Sequence, residues 1–336
     1  MEKNNTCFIS IAGSPPAWYR CALPAITMGQ KWLGIVGGIP GEAAELAGNV
    51  EDPNFDDFSH LIVQQANTEE WLEFIKERRS NGQKVIYEID DFVHGVARIK
   101  EHTHRKAKQF TKKYVKLHNE CMSECDAVIC STEFLANEYK KYNENIFVCK
   151  VGIDTERYIV EPPERDFVTI GWSGGTGHHL AVGPWLQEIT KILDTYKNVI
   201  FASIGTAYAD AIKNKYPDQT LTAPWTTIEN IPFALTSFDI AIAPAHESKY
   251  HLAKSDLRWL EASAVGIPTV CDPRIYDEVN PSLAANSPKE AADIIMELIE
   301  DKEERISLGK HQQEYVQKNR DISIASTQWL DVINKI

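Results

Sequence analysis

The sequence has 336 residues, of which 43% are hydrophobic and 25% charged, and its formal net charge is −13. The length suits two domains of ordinary size, and the composition is globular with no low-complexity tract. The acidic balance excludes a protein that coats nucleic acid, though not a local basic groove, and no apolar run approaches membrane-spanning length.

The N-terminal MEKNNTCFISIAG lacks the architecture of a signal peptide, so a cytoplasmic protein is expected. Seven cysteines are scattered without a framework. Cys121, Cys125 and Cys130 lie close in sequence but lack a second ligand pair at zinc spacing, so reduced thiols are expected.

In chain order, strand and helix signals alternate from end to end, the pattern of an α/β protein with mostly parallel sheets. Residues 7–12 (CFISIA) read as the first strand. A Gly13-Ser14-Pro15-Pro16 turn and a helix over 18–29 carrying Arg20 follow. Strands are expected over 33–39 and 61–65, a helix over 69–81 closed by Gly82, and a strand over 84–89. The last of these ends in two carboxylates, Asp90 and Asp91, and loop ends of α/β strands are where function concentrates. Asp90 could orient a hydroxyl, or accept its proton if Asp91 raises its pKa. The alternative is helix capping by Asp91 or a surface pair. No Asp-x-Asp occurs in the sequence, so no obligatory metal is expected.

A long polar helix is expected over 102–124. From 98 to 116 there are eight Lys or Arg and one acid, Glu101. The run is either a solvated helix face or the contact for an anionic acceptor. A strand (126–130), a helix (133–142) and a strand (146–151) follow, after which Gly152, Pro162 and Pro163 mark a linker.

The rhythm restarts with a strand over 167–172, whose end opens into GWSGGTGHH. Its four glycines let backbone N–H groups approach an anion at a helix N-terminus. No Gly-Lys-Ser/Thr and no full G-x-G-x-x-G is present, so a Walker loop is excluded and a Rossmann oxidoreductase is the weaker reading; a plain tight turn is the other. His178 and His179 are adjacent and point in different directions on a helix, which makes them poor joint metal ligands. Strands are expected over 199–204, 239–243 and 268–271, and a helix after Ser287 as cap with Pro288 at its first position, followed by two more helical segments.

The most informative stretch is KSDLRWLEASAVGIP, residues 254–268. Ser255 or Asp256 can cap a helix start, Leu257, Leu260, Ala264 and Val265 recur at helical spacing, and Gly266 with Pro268 beyond it is a stop. Glu261 is an acid among apolar neighbours and needs a partner. A ribose diol would serve, as would Arg258 or Lys254.

This stretch resembles the donor-site helix of glycosyltransferases with the GT-B fold, the large retaining nucleotide-sugar class. The resemblance implies two doubly wound Rossmann-like domains facing across a cleft. Residues 1–160 would form the acceptor domain, 161–318 the nucleotide-sugar donor domain, and 319–336 a helix crossing back, with Trp329 on its apolar side. It implies a cytoplasmic enzyme that moves a sugar from a nucleoside diphosphate sugar, a UDP-sugar first, to a hydroxyl acceptor with retention and without metal or cofactor. Glu261 would hold the ribose hydroxyls, and Lys254 and Ser255 would face the diphosphate together with the Gly174-Gly175-Thr176 loop. Gly205 and Trp225 would border the base, unless Trp225 is a core residue. His251 would face the sugar. Gly13, Ser14 and Arg20 would border the reacting sugar, with Arg20 on phosphate or acceptor unless it is a surface charge. Asp90 takes the place of the histidine in the family's frequent His-Asp pair. Many members carry a second Glu eight residues before the first, where this chain has Ala253. A non-catalytic nucleotide-sugar binder is therefore a second reading, and the acceptor stays open between a carbohydrate or small molecule and hydroxymethylated DNA.

Overall fold

The structure is a computed structural model and describes residues 5–11, 15–35, 54–96 and 112–336. Gly13, Ser14 and most of the basic run lie outside the described residues. The chain forms two compact units: residues 1–153 with 253–255 and 322–336, and residues 154–252 with 256–321.

The first unit is built on a parallel sheet of β1 (Thr6–Ile11), β2 (Lys31–Ile35), β3 (His60–Gln64), β4 (Lys84–Ile89), β5 (Ala127–Cys130) and β6 (Ile146–Val148), in the order β2-β1-β3-β4-β5-β6. Its central strands are apolar on both faces, as a sheet covered on both sides requires. Alternate residues sort onto the two faces with the period of two. Cys7, Ile9, Leu61, Val63, Val85, Tyr87 and Val128 pack with Trp71, Ile75, Cys121, Met122 and Leu135 from the helices Glu69–Ser80, Lys112–Glu124 and Glu133–Tyr139. Phe8, Ile62, Ile86, Ala127 and Ile129 pack with Cys21, Ala25, Trp329, Val332 and Ile333. The last three lie on the C-terminal helix Ile322–Lys335, whose Trp329 ring meets Phe8 at 5.6 Å.

The expected helix over 18–29 is broken in character: Trp18–Ala22 is a π-helical segment between the helical pieces Pro15–Ala17 and Leu23–Thr27. Tyr19, Arg20, Cys21 and Ala22 are all buried there, so this segment is covered on every side rather than along one stripe.

The second unit carries β7 (Val168–Gly174), β8 (Val199–Gly205), β9 (Thr220–Ala223), β10 (Ile240–Ala243) and β11 (Thr269–Cys271), all parallel, in the order β11-β10-β7-β8-β9. The strand order reverses beside β7 here and beside β1 in the first unit, and ligands of open α/β sheets collect at such switch points, beyond the carboxyl ends of the strands. Those ends are where the glycine loop and the β4 carboxylates lie. No helix among the described residues is long and apolar enough to cross a membrane.

Candidate functional site

In the first unit the chemistry gathers where β4 ends. Glu88 is fully buried and accepts hydrogen bonds from Arg20 Nε at 2.7 Å and Gln64 Nε2 at 2.9 Å. Arg20 is 2% exposed, donates through Nη1 to the Cys149 carbonyl at 2.5 Å, and lies 4.8 Å over the Trp329 ring. Burial pushes the Glu88 carboxyl up and Arg20 opposes it; burial also works against the Arg20 charge, but Glu88 overrides that and the guanidinium keeps its proton. The expectation that Arg20 meets phosphate or acceptor, or is a surface charge, gives way to a buried ion pair with Glu88. Its charge is matched inside the core, where removing either partner would strand the other.

Asp90 and Asp91 follow directly. Asp90 Oδ1 accepts from Gln65 Nε2 at 2.6 Å. Its carboxyl is pushed up to about 7, first by burial, then by Asp91 and Glu88, with Lys254 opposing. Asp91 pairs with Lys254, and both side chains are partly exposed, at 32% and 24%. The Asp91 carbonyl accepts from Tyr139 Oη at 2.9 Å, so the turn itself is pinned to the helix behind it. Lys254 comes from the 253–255 segment, anchored in this unit by Ala253, which is fully buried and accepts at its carbonyl from Thr132 Oγ1 at 3.4 Å. Ser255 beside it is half-buried. The structure thus brings Asp90, Asp91 and Lys254 together.

In the second unit β7 and β8 pair in register up to Gly174 and Gly205. Gly205 has φ +91°, and a Cβ there would lie 2.6 Å from the Gly174 carbonyl oxygen and 2.7 Å from the Trp225 ring. Only glycine fits this position. Trp225 is 51% exposed, so it is a surface ring lying on glycine backbone, not a core residue. Gly175 is half-buried and Thr176 exposed, ahead of the helix His179–Thr195.

Beside them stands a group that motif reading did not assemble. Arg258 donates through Nε to the Ser173 carbonyl at 2.7 Å and through Nη1 to Tyr276 Oη at 3.1 Å; its Nη2 lies 3.3 Å from His178 Nε2, and its guanidinium lies 5.4 Å over Trp172. His251 is buried, with Nδ1 2.8 Å from Ser248 Oγ and its ring 5.5 Å from His178 and 5.6 Å from His246. In sequence Arg258 offers only a partner for Glu261, three residues after it on one helix.

Glu261 is half-buried on the helix Leu257–Ala264. That helix ends as expected: Gly266 takes φ +82°, its N–H donates to Ser263 and that of Ile267 to Ala262, the paired bonds of a Schellman motif. Its start differs. Asp256 holds the N-cap position without a side-chain cap bond. Its carboxylate instead takes both terminal nitrogens of Arg320, at 2.6 and 3.0 Å, because a bidentate pair outcompetes a single backbone donor. Among the described residues no three His, Cys, Asp or Glu side chains gather as a metal site.

No protein-family model matches the sequence, and no curated protein matches it. Solved structures do. Anabaena Alr3699/HepE in complex with UDP-glucose is 11% identical, with a TM-score of 0.69 over 99% of this chain and 100% of that one. Sucrose-phosphate synthase from Thermosynechococcus elongatus is 10% identical, with a TM-score of 0.71 over 99% of each chain. TarM is 17% identical, with a TM-score of 0.59 over 82% of this chain and 54% of that one. Two Rossmann-like domains, each with its switch point at a cluster of polar side chains, give this chain the GT-B fold of those structures.

Proposed function

We propose that this chain is a glycosyltransferase that moves a sugar from a nucleoside diphosphate sugar, a UDP-sugar first, to a hydroxyl acceptor. The observation that carries this reading is the grouping at the ends of β7 and β8: glycine backbone, the half-exposed Trp225, and Arg258 with His178. An aromatic face suits a nucleobase, and open backbone at a helix start beside a guanidinium suits a diphosphate. Similar folds that hold UDP or UDP-glucose support it.

In this reading Glu261 accepts from the ribose diol, and the Gly174-Gly175-Thr176 amides and Arg258 stabilise the leaving diphosphate. The acceptor oxygen bonds to the sugar carbon on the same face of the ring from which the bond to the diphosphate breaks, so the configuration at that carbon is kept. Asp90 receives the hydroxyl proton, and a carboxyl near 7 suits that exchange at neutral pH. Lys254, held beside Asp91, is the cation assigned to the charge that develops during transfer. We assign the reaction no metal and no cofactor, and a retaining outcome. The free, buried thiols suit a cytoplasmic setting. For the acceptor we favour a carbohydrate or small hydroxyl compound. Lys113 and Lys116, in the described part of the basic run, pair with Glu69 at 2.9 Å and Glu120 at 3.3 Å, as a solvated face does.

Calorimetry with UDP tests the donor assignment. Glu261→Ala removes two hydrogen bonds of about 1 kcal/mol each, so affinity falls roughly 30-fold. Unchanged affinity in a folded variant removes Glu261 from the site. The second reading, a binder without turnover, rests on Ala253, which is fully buried and offers no group to a sugar. It requires tight UDP-sugar binding with no nucleotide release.

A further inference from the structure

β3 leaves its sheet through Gln65, at φ +50°. Among the described residues it is the only non-glycine in the left-handed region, a conformation glycine adopts without cost. A turn alone would therefore be better served by glycine. What glutamine adds is an amide, and Nε2 donates to Asp90 Oδ1 at 2.6 Å. The backbone around it is tied at both ends: the Gln65 N–H donates to the Glu88 carbonyl at 2.9 Å, and the Gln65 carbonyl accepts from Asn67 Nδ2 at 2.6 Å. The same Asn67 nitrogen reaches Tyr114 Oη at 3.3 Å.

We infer that Gln65 is the positioning residue of Asp90: its strained backbone aims one amide N–H at Oδ1, which fixes the carboxyl plane and leaves Oδ2 as the oxygen that meets the acceptor proton. The inference rests on the transferase reading, in which Asp90 takes that proton. Among the described hydrogen bonds, none uses Asp90 Oδ2. The charged groups that act on Asp90 are Asp91 and Glu88, which oppose its ionisation, and Lys254 and Arg20, which favour it. A neutral donor at Oδ1 also favours the ionised form, so losing it moves the Asp90 titration upward.

The variant that separates the two roles is Gln65→Gly, which keeps the left-handed turn and removes only the amide. In UDP-glucose hydrolysis, expected results are a kcat at least tenfold lower, an acidic limb of the pH profile displaced upward by about one unit, unchanged UDP affinity, and a melting temperature no lower than that of the parent. Gln65→Glu sets a carboxylate against Asp90 and displaces the limb further. Parent-like kcat and an unmoved profile in Gln65→Gly overturn the inference and leave Gln65 as a turn residue. Should the parent release no nucleotide from any donor, the transferase reading fails by itself. The coupling is then read from the Asp90 carboxyl carbon by NMR titration, assigned with Asp90→Asn. An upward shift in Gln65→Gly supports it, and identical titrations reject it.

Discussion

Three carboxylates close β4, and their surroundings set them apart. Glu88 is matched by a buried guanidinium, Asp91 by a partly exposed ammonium, and Asp90 by one amide. All three arrangements were hidden from sequence reading, because the partners Arg20, Gln65 and Lys254 lie 68, 25 and 163 residues away and only the fold brings them to the end of β4. Asp90 itself was legible, because a carboxylate pair at a strand end is a local pattern. Its raised pKa has a consequence for stability. Between pH 3.8, the ordinary value, and about 7, the folded state holds a proton that the unfolded chain has released. This group therefore lowers stability as pH rises through that window, and its cost is complete above 7. Asp90→Asn should be more stable than the parent at pH 8, by about 1–3 kcal/mol after allowance for solvent screening, and close to it at pH 4. Urea unfolding at the two pH values measures this, and equal differences at both would contradict it.

Elements with strong local signals were read correctly in place and type. β4 matches its expected bounds, Ser287 caps its helix by accepting from Glu290, and Gly266 stops the helix Leu257–Ala264. The misses have physical causes. β7 and β8 run on through Gly174 and Gly205, which pair in register although glycine carries no strand signal in the sequence. β9 is a short, largely exposed edge strand without an apolar stripe. The C-terminal helix was legible through Trp329, whose ring is 1% exposed against Phe8 and under Arg20. Trp329→Ala should cost about 3–5 kcal/mol, from the lost burial, the cavity and the lost cation–π contact. Chemical denaturation measures it, and a loss below about 1 kcal/mol would mean that the helix is not part of the folded core.

At the scale of the whole molecule, two parallel sheets carry their candidate site residues beyond the carboxyl ends of their strands, and the alternation of strands and helices already foretold the two sheets. Length and charge limited the partners, but the acceptor stays beyond the reach of composition, because one basic run in a chain of net charge −13 fits either a solvated face or an anionic partner. The most direct measurement is nucleotide release from UDP-glucose and other nucleoside diphosphate sugars by the parent and by Asp90→Ala, with UDP affinity measured in both. A transferase with Asp90 as its base releases nucleotide in the parent, loses release in Asp90→Ala, and keeps UDP affinity within about twofold, a difference of roughly 0.4 kcal/mol. Tight UDP binding with no release from any donor would contradict it and leave a nucleotide-sugar binder.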